Sequence, residues 1–223
     1  MYASNGVMSI RTHAGSWVVP AQRAVWIPAR ISHEIRMFGH VSMRALYLRP
    51  CLAAGLPRHC QVMNISPLMR ELILYACKTP ALRKLKEEDR HLIGMILDQL
   101  NAAECVPLQL PKPIDPRALR VAEALLNNPS NQRALKELCE RAGANKRTIE
   151  RLFQAETHMT FGKWRQQLRL MHALKFLAEG AKITHVALEA GYSTPSAFIS
   201  MFRKTLGTTP GRYFKNSPKS GTT

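Results

Sequence analysis

Several things are scarce in this sequence, and each scarcity closes off a class of function. Its five cysteines (Cys51, Cys60, Cys77, Cys105, Cys139) include no CxxC pair and no even framework. That argues against a disulfide-stapled secreted scaffold or a zinc ribbon and fits reduced, structural thiols. No apolar run approaches the roughly 18 residues needed to span a bilayer, and the chain does not open on a basic segment followed by an apolar core. A cytoplasmic protein with no membrane partner is therefore expected. His13, His33, His40 and His59 show no HxH or HxxxH spacing, so no metal is expected. A Gly-rich phosphate loop, a Ser-x-Gly elbow and any trio of nucleophile, base and orienter are missing too. Neither a cofactor nor enzymatic activity is expected.

Acidic side chains are the last shortage. Fifteen Asp and Glu stand against 32 Lys and Arg, a net charge of +17 in 223 residues. Residues 1–115 hold 14 basic and 8 acidic side chains, whereas residues 116–223 hold 18 and 7. Such a field favours polyanions, nucleic acid before anionic membrane. The bland alternative is a solvated basic surface that only keeps the chain soluble.

What is present is a repeat in the more basic half. One copy runs Leu135, Leu138, Ala142-Gly143, Phe153, then Thr160, Gly162, Lys163, Trp164. The second, about 48 residues on, runs Ile183, Val186, Ala190-Gly191, Phe202, then Thr209, Gly211, Arg212, Tyr213. A short apolar-periodic helix, a Gly turn and a second helix form the outline of a helix-turn-helix. Two of them in a basic chain point to double-stranded DNA.

Along the chain, residues 7–49 read as β, with runs at 7–11, 15–19, 24–27 and 42–48. Helical periodicity takes over at 67–78, behind Ser66 and Pro67, and again at 87–101. Their apolar stripes either cover the sheet or pair with a second copy of the chain. Pro107, Pro111 and Pro113 mark residues 101–114 as a linker. Asp115-Pro116 opens a series of helices at about 116–127, 132–142, 146–156, 160–179, 183–190, 195–206 and 210–215. The expected division is 1–112, 115–217 and a tail at 218–223.

On the second helix of the first copy, Ile149, Leu152 and Phe153 form the inner stripe, leaving Lys146, Arg147, Glu150 and Arg151 outward. A recognition helix needs such a face near its N-terminus, where side chains reach base edges in the major groove. Arg147 and Arg151 suit guanine, and Glu150 suits cytosine N4. The competing reading is a solvated face held by i,i+4 pairs. In the second copy Ser193-Thr194-Pro195 caps the helix, Phe198 and Phe202 face inward, and Ser196, Ala197, Ser200 and Arg203 face out. Small hydroxyls and an Ala discriminate weakly, so this helix is expected to position more than it specifies. The 19 residues from Phe161 to Glu179, at ~1.5 Å each, span roughly 28 Å, close to a DNA turn of about 34 Å. Trp164, Leu168 and Met171 pack one motif to that helix. Arg165 and Arg169 face phosphate or water, and Lys175 faces water.

Val186-Ala187, Gly191-Tyr192-Ser193, Ser196-Ala197-Phe198, Phe202-Arg203 and Gly207-x-x-Pro210 carry a family resemblance. Residues 116–217 resemble the DNA-binding domain of the AraC/XylS transcription regulators. The stretch 160–169 resembles a subgroup in which Phe161 stands where proline is usual. The resemblance implies base contact by Arg147, Glu150, Arg151, Ser196, Ala197 and Ser200. Residues 15–28 and His33 are similar to that subgroup's cupin-like sensor barrel, which implies that Trp26 and His33 lie near a pocket for a small effector. Such sensors usually begin some tens of residues earlier, so a truncated, open-edged barrel is expected here.

The fold expected is α+β: a truncated β-rich, cupin-like sensor with two helices, then an all-α reader of two helix-turn-helix motifs joined by a long helix. The function expected is a sequence-specific DNA-binding transcriptional regulator under effector control. DNA, a small effector, RNA polymerase and a second copy of the chain are its expected partners. Two other readings stay open, a sequence-indifferent nucleic-acid binder and a small-molecule-binding or metal-dependent cupin module.

Overall fold

The computed structural model describes residues 1–79 and 86–215, so the expected tail at 218–223 lies outside the described residues. The fold is α+β, an antiparallel sheet followed by a helical unit. Seven strands make up the sheet: β1 (Tyr2–Thr12), β2 (Gly15–Pro20), β3 (Arg23–Trp26), β4 (Glu34–Arg44), β5 (Gln61–Asn64), β6 (Cys105–Val106) and β7 (Gln109–Pro111). Their order is β6-β5-β3-β1-β2-β7, and β4 pairs with the other side of β1.

A bulge near Gly6 lets β1 bend between its two sets of partners. Gly6 sits at φ +71°, and a methyl there would lie 2.6 Å from the His40 carbonyl oxygen. A side chain would clash with the paired strand as well as strain the backbone.

Trp17, Val18 and Val19 of β2 are all buried, rather than alternately so. A strand covered on both faces reads as a continuous apolar run. The second cover is the helical unit, whose residues Trp164, Leu168, Leu170 and Leu174 belong to the same apolar core as Val7, Ile10, Trp17 and Leu110.

Two helices, α1 (Pro67–Ala76) and α2 (Glu87–Ala102), lie against the other end of the sheet. Ser66 Oγ accepts from the Met69 N–H at 3.0 Å and caps α1. Met69, Ile73, Ala76 and Ile96 bury themselves with Tyr2, Ala24 and Met63, so the inner stripes of both helices cover the sheet. Leu68, Tyr75 and Met95 remain exposed on the outside.

Two expectations for this half need correction. The stretch expected as a linker, 101–114, is woven into the sheet: β6 pairs with β5, and β7 pairs with β2 through Ser16 and Leu110. Prolines stop a helix, but an edge strand tolerates them because it leaves one row of N–H groups unpaired. Both β6 and β7 end the strand order. The fourth strand runs 34–44, not 42–48. Gly39, at φ +68°, hides the alternation there; a methyl on it would strike the Ala178 carbonyl of the helical unit.

From Pro116 on the described chain is helical: α3 (Pro116–Asn127), α4 (Leu135–Ala142), α5 (Lys146–Thr157), α6 (Phe161–Ala178), α7 (Ile183–Glu189), α8 (Pro195–Leu206) and α9 (Pro210–Lys215). Helix α4 begins three residues later than the periodicity predicts. The Asn131 side chain accepts from the Arg133 N–H at 2.8 Å and holds a turn there.

Candidate nucleic-acid interface

Helices α4 and α5 form the first motif. Gly143, in the left-handed region at φ +66°, ends α4. Asn145 Oδ1 then accepts from the Thr148 N–H at 2.8 Å and starts α5. Leu138, Cys139, Ala142, Ile149 and Phe153 fill the angle between the helices. Phe153 also meets Phe161 and Trp164 edge-on, each with ring centroids 5.3 Å away. This packing leaves Lys146, Arg147, Glu150 and Arg151 exposed on the first two turns of α5. Lys146 Nζ lies 3.8 Å from Glu150 Oε1. An exposed pair of that kind is weak, but it occupies the carboxylate expected to face cytosine. Arg147 and Arg151 have no ion pair among the described residues.

The second motif repeats the construction. Gly191, at φ +75°, makes the turn after α7, and the Tyr192 N–H donates back to the Ala187 carbonyl at 2.8 Å. Thr194 Oγ1 accepts from the Ala197 N–H at 3.2 Å, with Pro195 at the first helical position. Phe198 and Phe202 are buried, with ring centroids 5.8 Å apart. Ser196, Ala197, Ser200 and Arg203 are exposed. So is Lys204, which lines a shallow depression with Ser196, Ser200 and Arg203. Sequence reasoning passed over Lys204. Its signal was available, because it stands four residues after Ser200 and shares a turn with Arg203.

The basic residues of α6 point elsewhere than expected. Arg165 is half-buried; its Nη1 donates to the Arg133 carbonyl at 2.9 Å and its Nη2 to that of Asn131. Arg169 also donates to Asn131, at 3.3 Å. Burial lowers the proton affinity of both guanidiniums, and in Arg165 the neighbouring Arg169 charge adds to the effect. Lys175 is half-buried against the sheet rather than in water, its Nζ 5.1 Å from the Phe38 ring centroid. Its pKa is lowered first by burial, then by Arg11 and Arg36. Periodicity could not foresee this, since these side chains lie on a flank of α6 that only the tertiary fold covers. Trp164 ties α6 to the sheet directly, with Nε1 donating to the Pro111 carbonyl at 2.8 Å.

The two residues proposed for an effector are not brought together. Trp26 Nε1 donates to the Pro57 carbonyl at 2.7 Å, and Trp26 lines a cavity of about 40 Å³ beside Tyr2, Met63 and Ile73. His33 is exposed, its Nδ1 2.8 Å from the Ile31 carbonyl, and does not line that cavity. A larger cleft of about 330 Å³ lies between sheet and helices, walled by Arg11, His13, Lys112, Leu126, Trp164 and Lys175. Among the described residues no three His, Cys, Asp or Glu converge on a metal position. None of the described helices is long and apolar enough to cross a membrane.

A family model described as "Helix-turn-helix domain" matches residues 138–216. The HTH-type transcriptional regulator NimR of Escherichia coli is 34% identical over 211 residues, 95% of this chain and 77% of NimR. RipA of Corynebacterium glutamicum, also named an HTH-type transcriptional regulator, is 34% identical over 103 residues, 46% of this chain and 31% of RipA. A solved AraC-type regulator structure from Chromobacterium violaceum is 22% identical, covers 48% of this chain and 96% of its own, and has a TM-score of 0.44.

Proposed function

The chain belongs to the AraC/XylS family of DNA-binding transcriptional regulators, and from that premise we propose that α5 and α8 enter successive major grooves on one face of the duplex. The observation that carries this reading is the pairing of two exposed helix faces across one long helix. Helix α6 has 18 residues, which at ~1.5 Å each make roughly 27 Å, against about 34 Å for a DNA turn. Arg147 and Arg151 are the base readers of α5. Ser196, Ala197 and Ser200 make closer but less discriminating contacts from α8. Lys146, Arg203 and Lys204 anchor phosphates, with Glu150 held beside Lys146. In domain terms, residues 115–217 are the reader and 1–112 the regulatory half.

Effector control, in this reading, belongs to the cleft between sheet and helices. It has room for a small organic molecule, and its walls come from both halves of the chain.

A competition titration tests the DNA reading. Labelled duplex from upstream of the protein's own gene is challenged with scrambled duplex at about 150 mM salt, where phosphate-only binding is suppressed. A preference of roughly a thousandfold or more is expected. If scrambled duplex competes equally, duplexes are selected from a random pool. Failure to enrich any sequence would leave a binder of charge alone.

A further inference from the structure

Reading two grooves at once requires that the separation and rotation of α5 and α8 hold. Both motifs adjoin α6, and one side chain in the middle of that helix, Arg169, touches the turn that leads into the first and the turn inside the second. On one side, the Arg169 guanidinium donates 3.3 Å to the Asn131 carbonyl, in the turn that leads into α4. The same carbonyl accepts from Arg165. That turn is tied internally, with the Asn131 N–H donating to the Asn128 carbonyl at 3.1 Å.

On its other side the guanidinium meets the turn of the second motif. Its Cζ lies 5.7 Å from the Tyr192 ring centroid. It also lies flat against Gly191, where a methyl would sit 2.7 Å from Nη2 and 2.9 Å from Cζ. Gly191 is thus required twice, for the left-handed turn and for the space that Arg169 occupies. No carboxylate pairs with Arg169 among the described residues. Its charge is spent on a carbonyl and a π face, both directional, and the planar fork of arginine serves the two together where lysine would serve one.

We propose that Arg169 is a positioning residue that couples the two helix-turn-helix motifs and sets the half-site spacing the chain accepts on DNA. This rests on the two-groove reading above. When two readers are linked, the second binds at an effective concentration set by the stiffness of the link. A stiff link concentrates binding at one spacing, and a slack one spreads it over several. Loss of Arg169 therefore weakens binding at the correct spacing and flattens the penalty for a wrong one, while what each motif reads stays unaltered.

The test uses the full chain and a duplex of about 30 base pairs, long enough for two half-sites one helical turn apart, that the unaltered chain selects from a random pool. Two derivatives accompany it, one with two base pairs inserted between the half-sites and one with a half-site scrambled. The unaltered chain should lose about tenfold or more on the insertion. For Arg169→Leu, affinity for the parent duplex should fall about tenfold and the insertion penalty should shrink to about twofold. Its affinity for the half-scrambled duplex should stay within about twofold of the unaltered chain's, and Arg169→Lys should restore part of the insertion penalty. If Arg169→Leu weakens parent and half-scrambled duplexes alike and keeps the full penalty, Arg169 merely supports the fold and the proposal is overturned. Should Arg169→Leu fail to fold, Gly191→Ala, which displaces the guanidinium from outside, is read by the same criteria. An unaltered chain with no insertion penalty would overturn the two-groove reading, and this proposal with it; a penalty that survives in the variants overturns this proposal alone.

Discussion

The two helix-turn-helix copies bury much the same pattern and present different surfaces. Gly143 and Gly191 make their turns, and Phe153 and Phe202 occupy matching inner positions, both fully buried. Outside, α5 concentrates Lys146, Arg147 and Arg151 on its first two turns, whereas α8 starts with Ser196, Ala197 and Ser200 and turns basic only at Arg203 and Lys204. Burial constrains the inner faces alike because each must fill the same angle between helices. The outer faces are free to diverge. On the proposed reading, Arg147 and Arg151 on the first two turns of α5 reach bases, and Arg203 and Lys204 farther along α8 reach phosphates. On that reading the difference is a division of labour in which the first copy specifies more and the second positions more.

The sharpest break of the inner equivalence is Phe153→Ala against Phe202→Ala. Each should cost about 3–5 kcal/mol of stability in chemical denaturation, because a fully buried ring leaves a cavity. Costs differing by more than about 2 kcal/mol, beyond what local collapse explains, would mean the two motifs are not the same scaffold. The outer difference is tested next. Arg151→Ala should cost about 1–3 kcal/mol on a selected duplex and relax one or two positions, whereas Ser200→Ala should stay within about 0.5 kcal/mol. Equal loss for Arg151→Ala on scrambled DNA would remove its reading role.

Lys204→Ala should weaken binding uniformly across sequences and reduce the slope of log K against log salt by about 1. A change in sequence preference instead would move Lys204 from anchor to reader. The smallest asymmetry concerns the supporting helices. Asp115 caps α3, its Oδ1 accepting from the Arg117 N–H at 2.9 Å and from the Arg117 Nε at 3.1 Å. The Arg117 side chain, and then its backbone N–H, hold that carboxyl at about 2, below the ordinary 3.8. A depressed carboxylate pKa adds stability above the ordinary value that is lost as pH falls through the folded one. Thermal midpoints measured from pH 5 down to pH 2 should therefore fall less steeply for Asp115→Ala than for the unaltered chain. An unchanged slope would show that the cap does not titrate with folding.

Legibility differed between the halves for physical reasons. Several helices of the reader were visible because they carry their own caps: Asp115 and Pro116 for α3, Asn145 for α5, Thr160 for α6, Thr194 and Pro195 for α8. Their signals lie within a few residues of the structure they specify. The sheet was less visible. β7 finds its partner in β2, more than ninety residues earlier in the chain, and nothing local in a Pro-rich stretch announces that pairing. The exposed candidates on α5 and α8 followed from periodicity alone. Arg165, Arg169 and Lys175 did not, since a flank of α6 is solvent or interior according to what folds over it.

The sequence by itself determined the repeat, the two glycine turns, the basic excess of the second half and the outward faces of α5 and α8. Each of these is a local pattern of apolar spacing, caps and charge. Only the tertiary structure decided that residues 105–106 and 109–111 are edge strands, that sheet and reader share one apolar core, and that Arg169 lies between the turn leading into the first motif and the turn of the second. Those depend on which distant surfaces meet, and surfaces meet where joint burial of apolar area outweighs the conformational entropy lost in ordering them.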